Sequence, residues 1–135
     1  MSYLVDTNII SELCRRKPDH GVLAWASGVT RFAFSVITVE EIFFGLTWRP
    51  NPRVLEWMES FFQRHDVLPI SQNIARRGGE LRGQLTAQGT VREQADMLIA
   101  ATAQVHQLTL VTRNTRDFEN CGIGLLNPFS GSSAQ

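Results

Sequence analysis

The chain has 135 residues, 43% hydrophobic and 19% charged, the size and make-up of one folded domain, which excludes a disordered chain and leaves no room for two independent cores. Its 13 basic and 13 acidic side chains cancel to a formal net charge of zero, which excludes a globally basic grip on nucleic acid but not a local basic patch.

In chain order, Tyr3-Leu4-Val5 reads as a short strand that stops at Asp6. Thr7 and Asn8 suit a helix start, and Ile9, Ile10 and Leu13 give that helix an apolar stripe up to Cys14. Lys17-Pro18-Asp19 reads as a loop and residues 22–27 as a second short helix. Residues 32–37 are aromatic and β-branched, which predicts a strand, and Thr38 then opens a helix through Leu46. Pro50 and Pro52 break the pattern before a helix over residues 54–64. Residues 67–70 predict a strand, and Pro69 assigns it to a sheet edge. A polar amphipathic helix follows over residues 73–88, weakened and open to a kink where Gly78 and Gly79 meet. Residues 94–107 form the clearest helix and residues 108–112 the clearest strand. A polar loop or single turn over 113–119 leads to a last short strand over 123–126. Strands alternating with helices predict a mainly parallel sheet covered on both faces. Residues 1–129 are assigned to one domain and 130–135 to a small, polar, disordered tail.

No apolar run approaches the roughly 18–20 residues of a membrane span. The N-terminus has no basic region and no signal-peptide core, so the chain is expected in the cytoplasm. Cys14 and Cys121 lack CxxC spacing and read as reduced structural thiols, and His20, His65 and His106 are too scattered for a zinc set.

The chemistry is carried by acids. Asp6 ends the first strand, Glu40 and Glu41 open the helix after the second, Asp96 opens the most apolar helix, and Asp117 follows the last strong strand. Ligands bind beyond the carboxyl ends of the strands in open α/β sheets, so Asp6, Glu41 and Asp117 belong to that edge. Converging carboxylates repel one another unless a cation is shared, and acid-only donors suit a hard ion such as Mg²⁺ or Mn²⁺. Each acid also has a plainer reading. Asp6 suits a helix cap, and Thr38-Val39-Glu40-Glu41 matches a capping box, which spacing alone favours for Glu41. Asp96 suits a helix dipole, although Ile99, Ala100 and Ala103 put it at the head of a buried stripe. Asp117, taken alone, reads as a solvated acid.

Four segments, Leu4-Val5-Asp6-Thr7-Asn8, Thr38-Val39-Glu40-Glu41-Ile42, residues 95–103 around Asp96 and residues 110–118 around Asp117, resemble the four acidic motifs of PIN-domain ribonucleases, in particular VapC-type toxins and their FitB-like branch. The resemblance spans roughly residues 2–129 in the family's order. It implies a PIN-like α/β sandwich with a four- or five-stranded sheet, and a Mg²⁺-dependent endoribonuclease, Mn²⁺ being the alternative ion. It assigns catalysis and metal binding to Asp6, Glu41, Asp96 and Asp117. Glu41 is chosen over Glu40 because the family's acid precedes an aliphatic residue, here Ile42. Asn8, Thr112 and Asn114 are the supporting residues, and Asn114 stands where some members carry an acid. Arg92, Arg113 and Arg116 flank the motifs as candidates for RNA phosphates. The implied partners are RNA, a VapB-like antitoxin whose C-terminal segment crosses the acidic groove, a second copy of the chain, and operator DNA reached only through the antitoxin. The helices between Thr38 and Arg64 carry more aromatic surface than one small sheet hides, which also implies a partner. The alternatives are a catalytically silent partner- or DNA-binding module and another Mg²⁺-dependent phosphoryl-transfer enzyme. For the latter, Asp6-Thr7-Asn8 resembles a haloacid-dehalogenase start, but the second aspartate position holds Asn8.

Overall fold

Five short strands organise the computed structural model, which describes residues 2–131. They are β1 (Tyr3–Val5), β2 (Ala33–Ser35), β3 (Asp66–Leu68), β4 (Thr109–Val111) and β5 (Leu125–Leu126). They form one sheet in the order β3-β2-β1-β4-β5, with every neighbouring pair parallel. Parallel neighbours need crossovers, and helices supply them. α1 (Thr7–Cys14) and α2 (His20–Ser27) join β1 to β2. α3 (Val36–Trp48) and α4 (Pro52–Arg64) join β2 to β3, and α5 (Gln72–Ala87) and α6 (Gln94–His106) join β3 to β4. A 3₁₀ turn, Thr115–Phe118, precedes β5.

The pleat sends alternate residues to opposite faces. Leu4 and Leu110 enter one core with Ile74 and Leu81 of α5 and Met97 of α6. Val5 and Val111 enter the other with Ile9 of α1, Val22 of α2, Ile42 of α3 and Phe61 of α4. Burial on both faces is why the strands read as continuous apolar runs. The chain winds outward from β1 to β2 and β3, then crosses back to β4 on the other side of β1. The strand order therefore reverses between β1 and β4, and a crevice opens beyond their carboxyl ends. Val5 and Val111 are register partners, and the Asp6 N–H donates to the Val111 carbonyl at 2.9 Å. Asp6 and Thr112 thus leave the sheet side by side.

Several boundaries depart from the expectations. β2 stops at Ser35, and α3 begins at Val36 with Ser35 as its N-cap, the Ile37 N–H donating to the Ser35 hydroxyl at 3.0 Å. The capping box of Thr38 and Glu41 is therefore not formed. Thr38 lies inside the helix and is fully buried. The β-branched Val36 and Ile37 favour strand by propensity alone, but a serine cap and packing override that weak preference. α2 starts two residues early because the Asp19 carboxylate accepts from the Gly21 and Val22 N–H groups. Ser130, where the tail was expected to begin, donates through its N–H and hydroxyl to Asp19, while residues 132–135 lie outside the described residues.

Gly78 does not interrupt α5. It is where α5 approaches α6, since a Cβ there would lie 2.9 Å from Leu98 Cδ2 and 3.3 Å from the Met97 carbonyl oxygen. Gly83 on the same helix has open space around it. Gly83→Ala should therefore stabilise the fold by up to about 1 kcal/mol through helix propensity. Gly78→Ala sets the same propensity gain against overlap with Leu98 and the Met97 carbonyl, so it should be less stable than Gly83→Ala by about 1 kcal/mol or more. Thermal melts of the two variants check this, and a Gly78→Ala gain equal to that of Gly83→Ala would refute the close approach.

Candidate active site

The crevice edge gathers the four acids from four elements. Asp6 is the N-cap of α1 and is only 7% exposed. Glu41 lies in the second turn of α3, half-buried. Asp96 is in the first turn of α6. Asp117 is exposed on the 3₁₀ turn after β4.

Asp6 is held on both oxygens. Its Oδ1 accepts the Thr7 N–H at 2.8 Å, and its Oδ2 accepts the Thr112 hydroxyl at 2.9 Å and the Asn8 amide at 3.3 Å. Asp6 caps α1 through Oδ1, so the cap leaves its second oxygen to Thr112 and Asn8. Thr112 is fully buried, and its oxygen also accepts the Asn114 N–H at 3.0 Å. Asn8 returns to the β4 end by accepting the Arg113 N–H at 3.1 Å. The three supporting residues therefore tie the ends of β1 and β4 together. Asn114 does so through its backbone.

These carboxylates carry charge against resistance. Burial raises Asp6, with the Thr112, Thr7 and Asn8 bonds pulling it back and the Asp117 charge adding to the rise. Burial likewise raises Glu41, against its bond from Thr7, and the charges of Asp6, Glu40 and Glu93 add to it. Asp96 is pushed up to about 6, first by burial and then by Asp6, Asp117, Glu93 and Glu41. Among the described residues, the ion pairs are Arg15–Glu12, Arg31–Asp66, Arg76–Glu80 and Arg77–Glu80, so none of the four acids is neutralised by a side-chain cation. Asp6, Glu41 and Asp96 are raised, lack a protein cation and offer only oxygen donors, the kind a hard divalent ion takes. Among the described residues no three His, Cys, Asp or Glu side chains already converge as a ligand group.

Two contributors escaped the sequence reading. Thr7 looked like a capping residue, yet its hydroxyl reaches Glu41 across the interface of α1 and α3. Glu93 is the N-cap residue of α6 without making a side-chain capping bond, and its charge acts on both Asp96 and Glu41. Its place three residues before Asp96 was the available signal. The arginines divide. Arg113 is exposed and lies over the Phe129 ring at 4.4 Å, and Arg116 is exposed on the 3₁₀ turn. Arg92 is half-buried, its Nε is enclosed without a hydrogen-bond partner, and its charge acts on the buried Cys121.

Of the tryptophans, Trp25 packs against Tyr3 and stacks on Phe32, and Trp57 stacks on Phe61. Trp48 is 71% exposed and Phe44 69% exposed, forming with Phe43 an open apolar stripe on α3. Both cysteines are buried and free.

Comparison with known proteins gives a consistent outcome. The PIN domain family profile matches residues 3–123. The VapC ribonuclease Y4jK of Sinorhizobium fredii is 35% identical over 93% of this chain and 96% of its own. The crystal structure of FitAcB from Neisseria gonorrhoeae contains a chain that superposes with a TM-score of 0.84 at 31% identity, covering 93% of this chain and 97% of that one. A toxin–antitoxin complex from Klebsiella pneumoniae contains another, with a TM-score of 0.76 at 29% identity over 95% and 98%.

Proposed function

Because the chain belongs to the PIN-domain family, we propose that it is a metal-dependent endoribonuclease, the toxin of a toxin–antitoxin pair, held inactive by a cognate antitoxin. The observation that carries this reading is that Asp6, Glu41 and Asp117 all act by charge on Asp96, with no ion pair among the described residues to offset any of them. The relatives named as a ribonuclease and as toxin–antitoxin components support it.

Asp6, Glu41, Asp96 and Asp117 would hold Mg²⁺ or Mn²⁺. Such an ion supplies Lewis acidity to the phosphodiester and to the attacking water. Asp6 is the fixed point, since Thr112, Thr7 and Asn8 restrain both its oxygens. Asp117 stands on an exposed turn and can adjust as the site closes. Arg113 and Arg116 are exposed beside it and would take RNA phosphates, which position the strand without reading its sequence. The stripe of Phe43, Phe44 and Trp48 favours a protein partner, a second copy of the chain or the antitoxin. With a net charge of zero the chain reaches operator DNA through the antitoxin rather than alone. Among the described residues no helix is long and apolar enough to cross a membrane. We place the activity in the cytoplasm, where cellular RNA is available.

The purified, antitoxin-free chain should cleave RNA with Mg²⁺, stop in excess EDTA, and recover with added Mg²⁺ or Mn²⁺. Full cleavage in EDTA would sink the metal assignment. Induced alone, the chain should slow growth of a bacterial host, and Asp6→Asn should relieve this. Equal toxicity of a soluble Asp6→Asn protein would point to binding rather than hydrolysis.

A further inference from the structure

Thr7 touches two of the four acids at once. Its main-chain N–H donates to Asp6 Oδ1 at 2.8 Å, and its hydroxyl lies 2.5 Å from Glu41 Oε1. The same hydroxyl lies 3.0 Å from the hydroxyl of Thr38, which is fully buried one turn before Glu41 on α3. One hydroxyl has one proton, so it cannot donate to both neighbours. The carboxylate is the stronger acceptor. Thr7 therefore donates to Glu41, and Thr38 donates to Thr7. The oxygen of Glu41 engaged is Oε1. Among the described residues Glu41 Oε2 has no hydrogen-bond partner.

Something must hold Glu41 in place, because Asp6, Glu40 and Glu93 all bear on it with like charge. A half-buried carboxylate under that repulsion turns toward solvent unless a donor restrains it. We propose that Thr7, backed by Thr38, is a positioning residue for catalysis that tethers Glu41 by one oxygen and leaves the other for the metal ion. This rests on the reading of Glu41 as a metal ligand. It also gives Asp6 and Glu41 a shared anchor, so that their separation is set by one residue rather than by two independent helices.

The test uses the full-length chain free of antitoxin, with Mn²⁺ as the probe. Thr7→Val removes the hydroxyl at nearly constant shape, Thr7→Ser keeps it, and Thr7→Ala substitutes if the valine variant folds poorly. Calorimetric titration should show Mn²⁺ binding about tenfold weaker in Thr7→Val and close to wild type in Thr7→Ser, within the range for partners that orient a metal ligand. Single-turnover cleavage should fall in parallel, while the metal-free circular dichroism spectrum stays unchanged. In a Glu41→Gln background the Thr7→Val change should bring no further loss of Mn²⁺ affinity, because its target is already gone. Wild-type Mn²⁺ affinity in Thr7→Val, or independent and additive losses in the double variant, would overturn the proposal while leaving the nuclease reading intact. A wild-type chain that binds no Mn²⁺ would overturn both.

Discussion

Asp96→Asn is expected to abolish RNA cleavage and, in the same protein, to leave the metal-free fold more stable than wild type. Losing a residue that merely orients a metal ligand costs about 10–100-fold, so losing a ligand should cost at least about 100-fold. The stability change runs the other way. Asp96 titrates at about 6 in the fold, above its ordinary 3.8, because burial and the charges of Asp6, Asp117, Glu93 and Glu41 oppose its ionisation. A carboxyl raised on folding stabilises fully below its unfolded pKa, and that contribution is lost as the pH rises through the folded value. At neutral pH the wild type therefore carries an ionised Asp96 at a cost that solvent screening reduces to about 1 kcal/mol. Asparagine keeps the shape and removes the charge. In EDTA at pH 7.5 the variant should melt about 4 °C higher, and the gap should close as the pH falls through 6 toward 4. Saturating Mg²⁺ should reverse the order, because an ion that binds only the folded state stabilises the protein that still holds it. Identical melts in EDTA together with an undiminished Mg²⁺ gain in the variant would remove Asp96 from the site.

The legible part of this molecule is the part set by local rules. Alternating strand and helix patterns specified the sheet, and the carboxyl ends of the strands put Asp6, Glu41 and Asp117 on one edge before any contact was known. Strand lengths were overestimated because apolar runs such as residues 32–37 pass from strand into helix without a change in hydrophobicity. Ser35 marks that boundary by capping, a signal hidden in a run otherwise favourable to β structure. Gly78 looked like a weakness in α5 because propensity counts only its own helix, while α6 makes it a contact. Thr7 was beyond reach for another reason. Its hydroxyl meets residues 31 and 34 positions away, and no periodicity reports a bond between two helices that come together only when the sheet forms. Arg92 flanks the Asp96 motif in sequence, while the fold encloses its Nε and brings its charge to bear on Cys121.

The location of the helix boundary makes Glu41→Gln a sharper test than its sequence context allowed. In a capping box glutamine replaces glutamate with little loss, so an active variant would have been the expected result. Ser35 occupies the cap instead, and Glu41 is free of any capping duty. Glutamine at this position keeps an oxygen that Thr7 can bond and removes the charge that would hold an ion. Glu41→Gln should therefore fold with metal-free stability equal to or above wild type, since the repulsion from Asp6, Glu40 and Glu93 is relieved. Its cleavage rate should fall by at least about 100-fold. Ser35→Ala should do the opposite, losing about 1 kcal/mol of stability as a cap while keeping a measurable cleavage rate. Glu40→Gln, exposed on α3, should keep wild-type cleavage, with metal-free stability equal to or slightly above wild type as its charge on Glu41 is removed. Melts and cleavage assays on the same three preparations separate capping from ligation at this helix start. An inactive Glu40→Gln beside an active Glu41→Gln would shift the motif by one residue. Full activity in both would leave the ion to Asp6, Asp96 and Asp117.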